Sequence, residues 1–131
     1  MKQSKITLSE TFFNKEDGLS LVTISTPYGH FTGHSICNYD DGDEFNELIG
    51  GTYAEIRAWI KFYKYAIKVN SAILKELNGI YCCSKKNNPI AYRIKGRMKD
   101  IEDFIEYCKL ELAKAESEII DRNNYLGKKD E

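Results

Sequence analysis

The chain has 131 residues and a formal net charge of −1. It is long enough to bury a core of its own, and too nearly neutral for a protein whose whole surface grips nucleic acid. Its four cysteines, Cys37, Cys82, Cys83 and Cys108, match no zinc-ligand spacing, and no apolar run approaches a membrane span.

Met1-Lys2-Gln3-Ser4-Lys5 leads into only a short apolar segment, so no signal peptide is expected and the thiols are expected to be reduced in a cytoplasm. Ile6, Leu8 and Phe12 alternate with polar residues and predict a half-buried strand over 5–13. Asn14 to Gly18 ends in Asp17-Gly18, a hairpin-turn signal. Leu19 to Thr26 predicts a second strand with apolar residues on both faces, Leu19 and Leu21 on one and Val22 and Ile24 on the other, which suits a central strand. Pro27-Tyr28-Gly29 is a turn, and His30 to Cys37 a third strand. Gly33 within it implies a bulge or the close approach of another group. These strands, over about 5–38, make an antiparallel meander.

Asn38 to Glu47 carries Asp40, Asp41, Asp43 and Glu44 but lacks the spacing of a calcium loop, so a solvated acidic loop pinned by Phe45 and Leu48 is expected. A long helix is predicted over about 52–77. Ile56, Ile60, Tyr63, Ile67, Asn70, Leu74 and Leu77 recur at alternating steps of four and three, a heptad seam with one polar member. Ala54, Ala58, Trp59, Phe62, Tyr65, Ala66, Val69 and Ile73 widen the apolar face, so the helix is packed on more than one side. Asn78-Gly79 reads as its end. Residues 79–96 are expected to be a connection, with Ile80 to Ser84 and Ile90 to Lys95 pairing as a hairpin near 80–95 until Gly96 breaks it. A second helix over about 99–123 repeats the heptad spacing in Ile101, Ile105, Cys108, Leu112, Ala115 and Ile119. An antiparallel helix pair is the simplest arrangement, with pairing between copies in a homo-oligomer as the alternative. The expected fold is one α+β domain over 1–131, an antiparallel sheet packed with two long helices.

The motifs of nucleophilic and metal-dependent hydrolases, Gly-x-Ser-x-Gly and His-Glu-x-x-His, are absent. His30 and His34 would stand roughly 13 Å apart along a strand, too far to share one ion, with Cys37 on the opposite face. The reading is non-enzymatic, with no metal and no cofactor.

Two stretches point to binding. Gly50-Gly51-Thr52 opens the first helix. The glycines permit close approach, Thr52 suits an N-cap with Glu55 completing a capping box, and Arg57 adds a fork of donors for a phosphate. The plainer reading is a well-capped core helix. The segment from Lys85 to Lys99 is basic: Tyr92 suits base stacking, Asn88 a base edge, and Arg93 and Arg97 phosphates. Its plainer reading is an exposed basic hairpin. In an antiparallel helix pair the two stretches lie about a helix length apart, and they meet only across a subunit boundary.

Thr26-Pro27-Tyr28-Gly29-His30-Phe31-Thr32-Gly33-His34, the acidic Asp40 to Asp43 and Gly50-Gly51-Thr52-Tyr53-Ala54-Glu55-Ile56-Arg57-Ala58 together resemble small phage proteins that counter the bacterial Thoeris defence, over roughly residues 19–75. The resemblance implies a sponge in the cytoplasm of an infected bacterium. Such a protein binds cyclic ADP-ribose isomers without degrading them, and some members hold cyclic oligonucleotides. It also implies a homo-oligomer built on the long helices with ligand pockets at subunit boundaries. Thr52 and Arg57 carry over from the helix start, and Arg93, Arg97 and Tyr92 correspond to C-terminal arginines and an aromatic. Cys82-Cys83 stands where a stacking aromatic would be sought. Two rival readings use the same residues: a protein-interaction or inhibitor module with aromatic helix faces, and a nucleic-acid binder using Lys85 to Lys99. Nucleic acid is the less favoured partner for a near-neutral chain.

Overall fold

A computed structural model describes residues 8–37, 46–83 and 88–129, with side chains placed at 9–37, 46–83 and 88–120. Strands β1 (Leu8–Asn14), β2 (Leu19–Thr26) and β3 (Gly29–Ile36) are followed by helices α1 (Glu47–Cys83) and α2 (Pro89–Lys129). The sheet is an antiparallel meander of order β1-β2-β3, with β2 central. The fold is α+β, three strands and two long helices. Among the described residues no helix is long and apolar enough to cross a membrane. The expected acidic loop and the basic Lys85-Lys86-Asn87 lie largely or wholly outside the described residues.

The turn between β1 and β2 is organised by Asn14, whose Oδ1 accepts from the backbone N–H groups of Glu16 (3.1 Å) and Asp17 (3.3 Å). Gly18 closes it with a φ of 68°, a conformation open to glycine. Directly beyond the turn, the Cys37 N–H donates to the Gly18 carbonyl at 2.7 Å. That bond sets the phase of the ladder. Odd-numbered residues of β3 turn their N–H and C=O groups toward β2, and even-numbered ones turn them to the outer edge.

On β2, Ser20, Val22 and Ile24 are buried, while Leu19, Leu21 and Thr23 are half-buried on the other face. The buried face receives α1. Gly33, paired with Val22, makes this possible: a Cβ there would collide with the Ala54 carbonyl oxygen and the Ala58 nitrogen. Gly33 therefore marks a close helix approach within an uninterrupted ladder. Ala54, Ala58 and Ala66, all fully buried, keep the helix surface flat where it meets the sheet. Phe62 and Tyr63 fill the space beyond, and Phe104 and Cys108 of α2 complete the core.

α1 begins at Glu47, not near Thr52. Asn46 is its cap: its Oδ1 accepts from the Ile49 N–H at 3.1 Å and its carbonyl from the Gly50 N–H at 2.8 Å. The helix runs through Gly79 to Cys83, about 55 Å at the standard rise. α2 begins at Pro89, not near Lys99, with Asn88 as cap (Oδ1 to the Ile90 N–H, 2.9 Å) and proline in the first helical position. The expected hairpin near 80–95 is absent: Ile80 to Cys83 end one helix and Pro89 to Lys95 begin the next. The cause is the apolar seam, which continues past the glycines. Leu74, Leu77 and Tyr81 stay half-buried along α1, as do Ile94, Met98 and Ile101 on α2, with Ala91 buried. The helices run antiparallel, as Lys64 near Glu116 and Tyr28 against Phe104 show.

Candidate functional site

The residues expected to bind a phosphate at the start of α1 are used for packing. A Cβ on Gly50 would strike the Ser20 hydroxyl, and one on Gly51 would touch the Phe13 ring at 3.5 Å. Both glycines serve the fit of helix to sheet. Thr52 is not an N-cap: it lies within the helix, and its hydroxyl donates back to the Leu48 carbonyl at 2.7 Å. Asn46 already occupies the Ile49 and Gly50 amides, and Glu47 adds a negative charge to the first turn. Thr52 therefore lies inside the helix and is not the residue that caps its start.

Arg57 is half-buried. Its Nη1 donates to the His34 carbonyl at 2.8 Å and its Cζ stands 5.6 Å from the centre of the Tyr53 ring. Four residues on, Lys61 donates from Nζ to the Thr32 carbonyl at 2.7 Å. By the phase of the ladder both carbonyls face the outer edge of β3, so the two cations line that edge. The row continues along the helix in Lys64, Lys68 and Lys75, steps that keep all five cations on one face over about 27 Å. Glu55 and Glu76 fall outside the row. Lys64 approaches Glu116 at 4.0 Å with both groups about half exposed, a weak contact. Tyr65 stands between Lys61 and Lys68, 44% exposed, its ring centre 5.6 Å from that of Phe31. Sequence reasoning picked out Arg57 and missed Lys61, Lys64, Lys68 and Tyr65. The helical spacing counted from Arg57 was the signal available.

The second expected set lies at the far end of the helix pair. Tyr92, Arg93 and Arg97 are exposed on the first turns of α2. Asn88 caps the helix, its Oδ1 accepting from the Ile90 N–H, which commits that oxygen to the fold. Arg57 and Cys83 are separated by about 39 Å of helix, so one chain does not bring the two sets together. A groove of about 520 Å³ along α1, lined by Lys75, Glu76, Gly79, Ile80 and Cys83, contains none of the expected site residues.

His30 shares a hydrogen bond of 2.8 Å between Nδ1 and the Ser25 hydroxyl. Among the described residues no three His, Cys, Asp or Glu groups converge to hold a metal ion. Two buried ionisable groups, Tyr63 and Cys108, lie at the junction of the helices. Burial, then Tyr107 and Glu111, raise the Tyr63 phenol well above its ordinary value of 10.0. Burial, then Glu111, push the Cys108 thiol up to about 11. A thiol held protonated in an apolar junction is inert as a nucleophile.

The chain matches no family model, no curated protein and no solved structure.

Proposed function

We propose that the chain binds and sequesters a cyclic nucleotide signal of the cyclic ADP-ribose class without cleaving it, acting as a phage counter-defence sponge. The observation that carries this reading is the row Arg57, Lys61, Lys64 and Lys68 with Tyr65 among them. Cations on one rigid face suit the phosphates of such a ligand, and a tyrosine face suits its base. The resemblance supplies the ligand class. The row is one wall of a site. In this reading Tyr92, Arg93 and Arg97 of another copy supply the second, in a homo-oligomer.

The test is a melting-temperature screen of the intact protein against cyclic ADP-ribose isomers and cyclic oligonucleotides, since a tight ligand raises stability by mass action. The bound ligand is then recovered after denaturation. Unchanged ligand supports sequestration, a cleaved product identifies an enzyme, and no shift with any of them removes the proposal. Lys64→Glu with Lys68→Glu is expected to abolish the shift while leaving the unliganded melting temperature near that of the parent.

The length of the row favours one second reading, contact with a nucleic-acid backbone. That reading expects oligonucleotide binding that weakens steeply with salt, about 0.7 to 0.9 in log affinity per log salt for each phosphate contact. No binding to single- or double-stranded oligonucleotides at low salt disposes of it.

A further inference from the structure

Among the described residues the two edges of the sheet are treated differently. On β3 the outward carbonyls of Thr32 and His34 are occupied by Lys61 and Arg57, and α1 lies beneath that strand. Among the described residues β1 pairs with β2 alone. Its backbone phase follows from that of β3. Even-numbered residues of β2 face β3, so Leu19, Leu21, Thr23 and Ser25 face β1, and their partners Asn14, Phe12, Glu10 and Leu8 face back. Ser9 and Thr11 therefore direct their N–H and C=O groups outward.

The side chains of the first part of β1 are open as well. Ser9, Glu10, Thr11 and Phe12 are all exposed, although they alternate between the two faces of the sheet. Phe12 is 56% exposed. Thr11 is exposed beside a buried Val22, so α1 reaches β1 at Phe13, against Gly51, and leaves Ser9 to Phe12 uncovered. The strand carries no lysine, no proline and no bulge in its register, and one charge, Glu10, among the features that discourage edge pairing.

We propose that β1 is a docking edge for a second copy of this chain, β1 against β1, antiparallel about a two-fold axis at Thr11. The strand is its own complement in that register. Glu10, its single charge, falls opposite Phe12 of the other copy in both halves, so no like charges face each other and each exposed Phe12 gains cover. The product is a continuous sheet of order β3-β2-β1-β1-β2-β3. Both of its outer edges are β3 strands closed by Arg57 and Lys61, so growth through the sheet stops at two copies. This pairing is independent of any ligand.

Sedimentation velocity of the full chain over about a hundredfold concentration range tests it. The parent is expected to approach twice its 15.1 kDa mass as concentration rises. Thr11→Lys sets two like charges face to face on the axis, and Thr11→Pro removes an N–H that the β1–β2 ladder does not use. Each is expected to weaken association by at least about tenfold, with the circular dichroism of the dilute protein unchanged. Hydrogen exchange at the Ser9 and Thr11 amides in the parent is expected to slow with concentration. A parent that stays monomeric throughout, or an associated species that neither variant reduces, overturns the proposal.

Discussion

Asn70 donates from Nδ2 to the Tyr28 hydroxyl at 3.0 Å and to the Ala66 carbonyl at 2.8 Å. The one polar member of the α1 seam is thus buried, and it ties the turn between β2 and β3 to the helix. Tyr28 also lays its ring beside Phe104, with centres 6.5 Å apart, so the turn, α1 and α2 meet at one place. Tyr28→Phe keeps the ring and removes the bond; a loss of about 1 kcal/mol is expected. Asn70→Ala also removes a buried side chain and is expected to cost about 2 kcal/mol or more. Urea unfolding of both variants measures the difference.

The start of α1 yields a contrast between two residues of similar chemistry. Asn46 caps the helix, while Thr52 bonds back to Leu48 inside it. Asn46→Ala is expected to cost about 1 kcal/mol, and Thr52→Ala to lie within about 0.5 kcal/mol of the parent. Equal losses in thermal unfolding would restore Thr52 as the cap.

Glycines separate in the same way. Gly33→Ala forces a Cβ against two backbone atoms of α1, so the helix must shift; a loss of about 2 kcal/mol or more is expected. Gly79 and Gly96 are helical and exposed, with nothing near the place a Cβ would take. Changing either to alanine is expected to stabilise by about 0.5 to 1 kcal/mol. Chemical denaturation of the three single variants decides it.

The buried thiol predicts an alkaline limit. The fold raises the Cys108 value from 9.0 to about 11, favouring the protonated form. The unfolded chain therefore releases its proton first, so this contribution is complete below pH 9 and is lost as pH rises toward 11. Tyr63, raised from 10.0, adds to the loss above that value. The combined fall is expected to be on the order of 2 kcal/mol or more across that window. Cys108→Ala is expected to be less stable at neutral pH, because of the cavity, and to lose the early part of the alkaline decline.

The closed edge of β3 can be opened. Arg57→Ser with Lys61→Ser frees the carbonyls of His34 and Thr32. Concentration-dependent assemblies larger than the parent's are expected by light scattering, because an exposed strand edge is a template for further pairing. A double variant that scatters like the parent at every concentration would show that these cations do not guard the edge.

The strands were legible because β1 alternates, β2 is apolar on both faces as a central strand is, and turn signals, Asp17-Gly18 and Pro27-Tyr28-Gly29, separate the three. Gly33 was legible as a close approach because a glycine within an otherwise regular strand is costly without one. The helix limits were misread where local signals competed with packing. Gly79 and Gly96 look like breakers, and each costs about 1 kcal/mol in a helix, yet the apolar seam on either side of them outweighs that cost. Asn88-Pro89 reads equally as a turn or as a cap with a proline in the first helical position. The candidate site was half legible. Arg57 stood out beside the glycines, but the lysines that extend its row are ordinary in sequence and acquire direction only from the face α1 turns to the edge of β3.

The order of the elements has a consequence for how the chain reaches this structure. β1 lies on β2, β2 on β3, α1 on β3 and α2 on α1, so each element packs on one that precedes it. Most of the packing joins elements adjacent in the chain, with the contact of Tyr28 on Phe104 the long-range exception, and topologies rich in near neighbours fold fast. The face of β2 that carries Val22 and Ile24 is buried only once α1 and α2 are in place, so the meander and the helices are expected to gain their stability together.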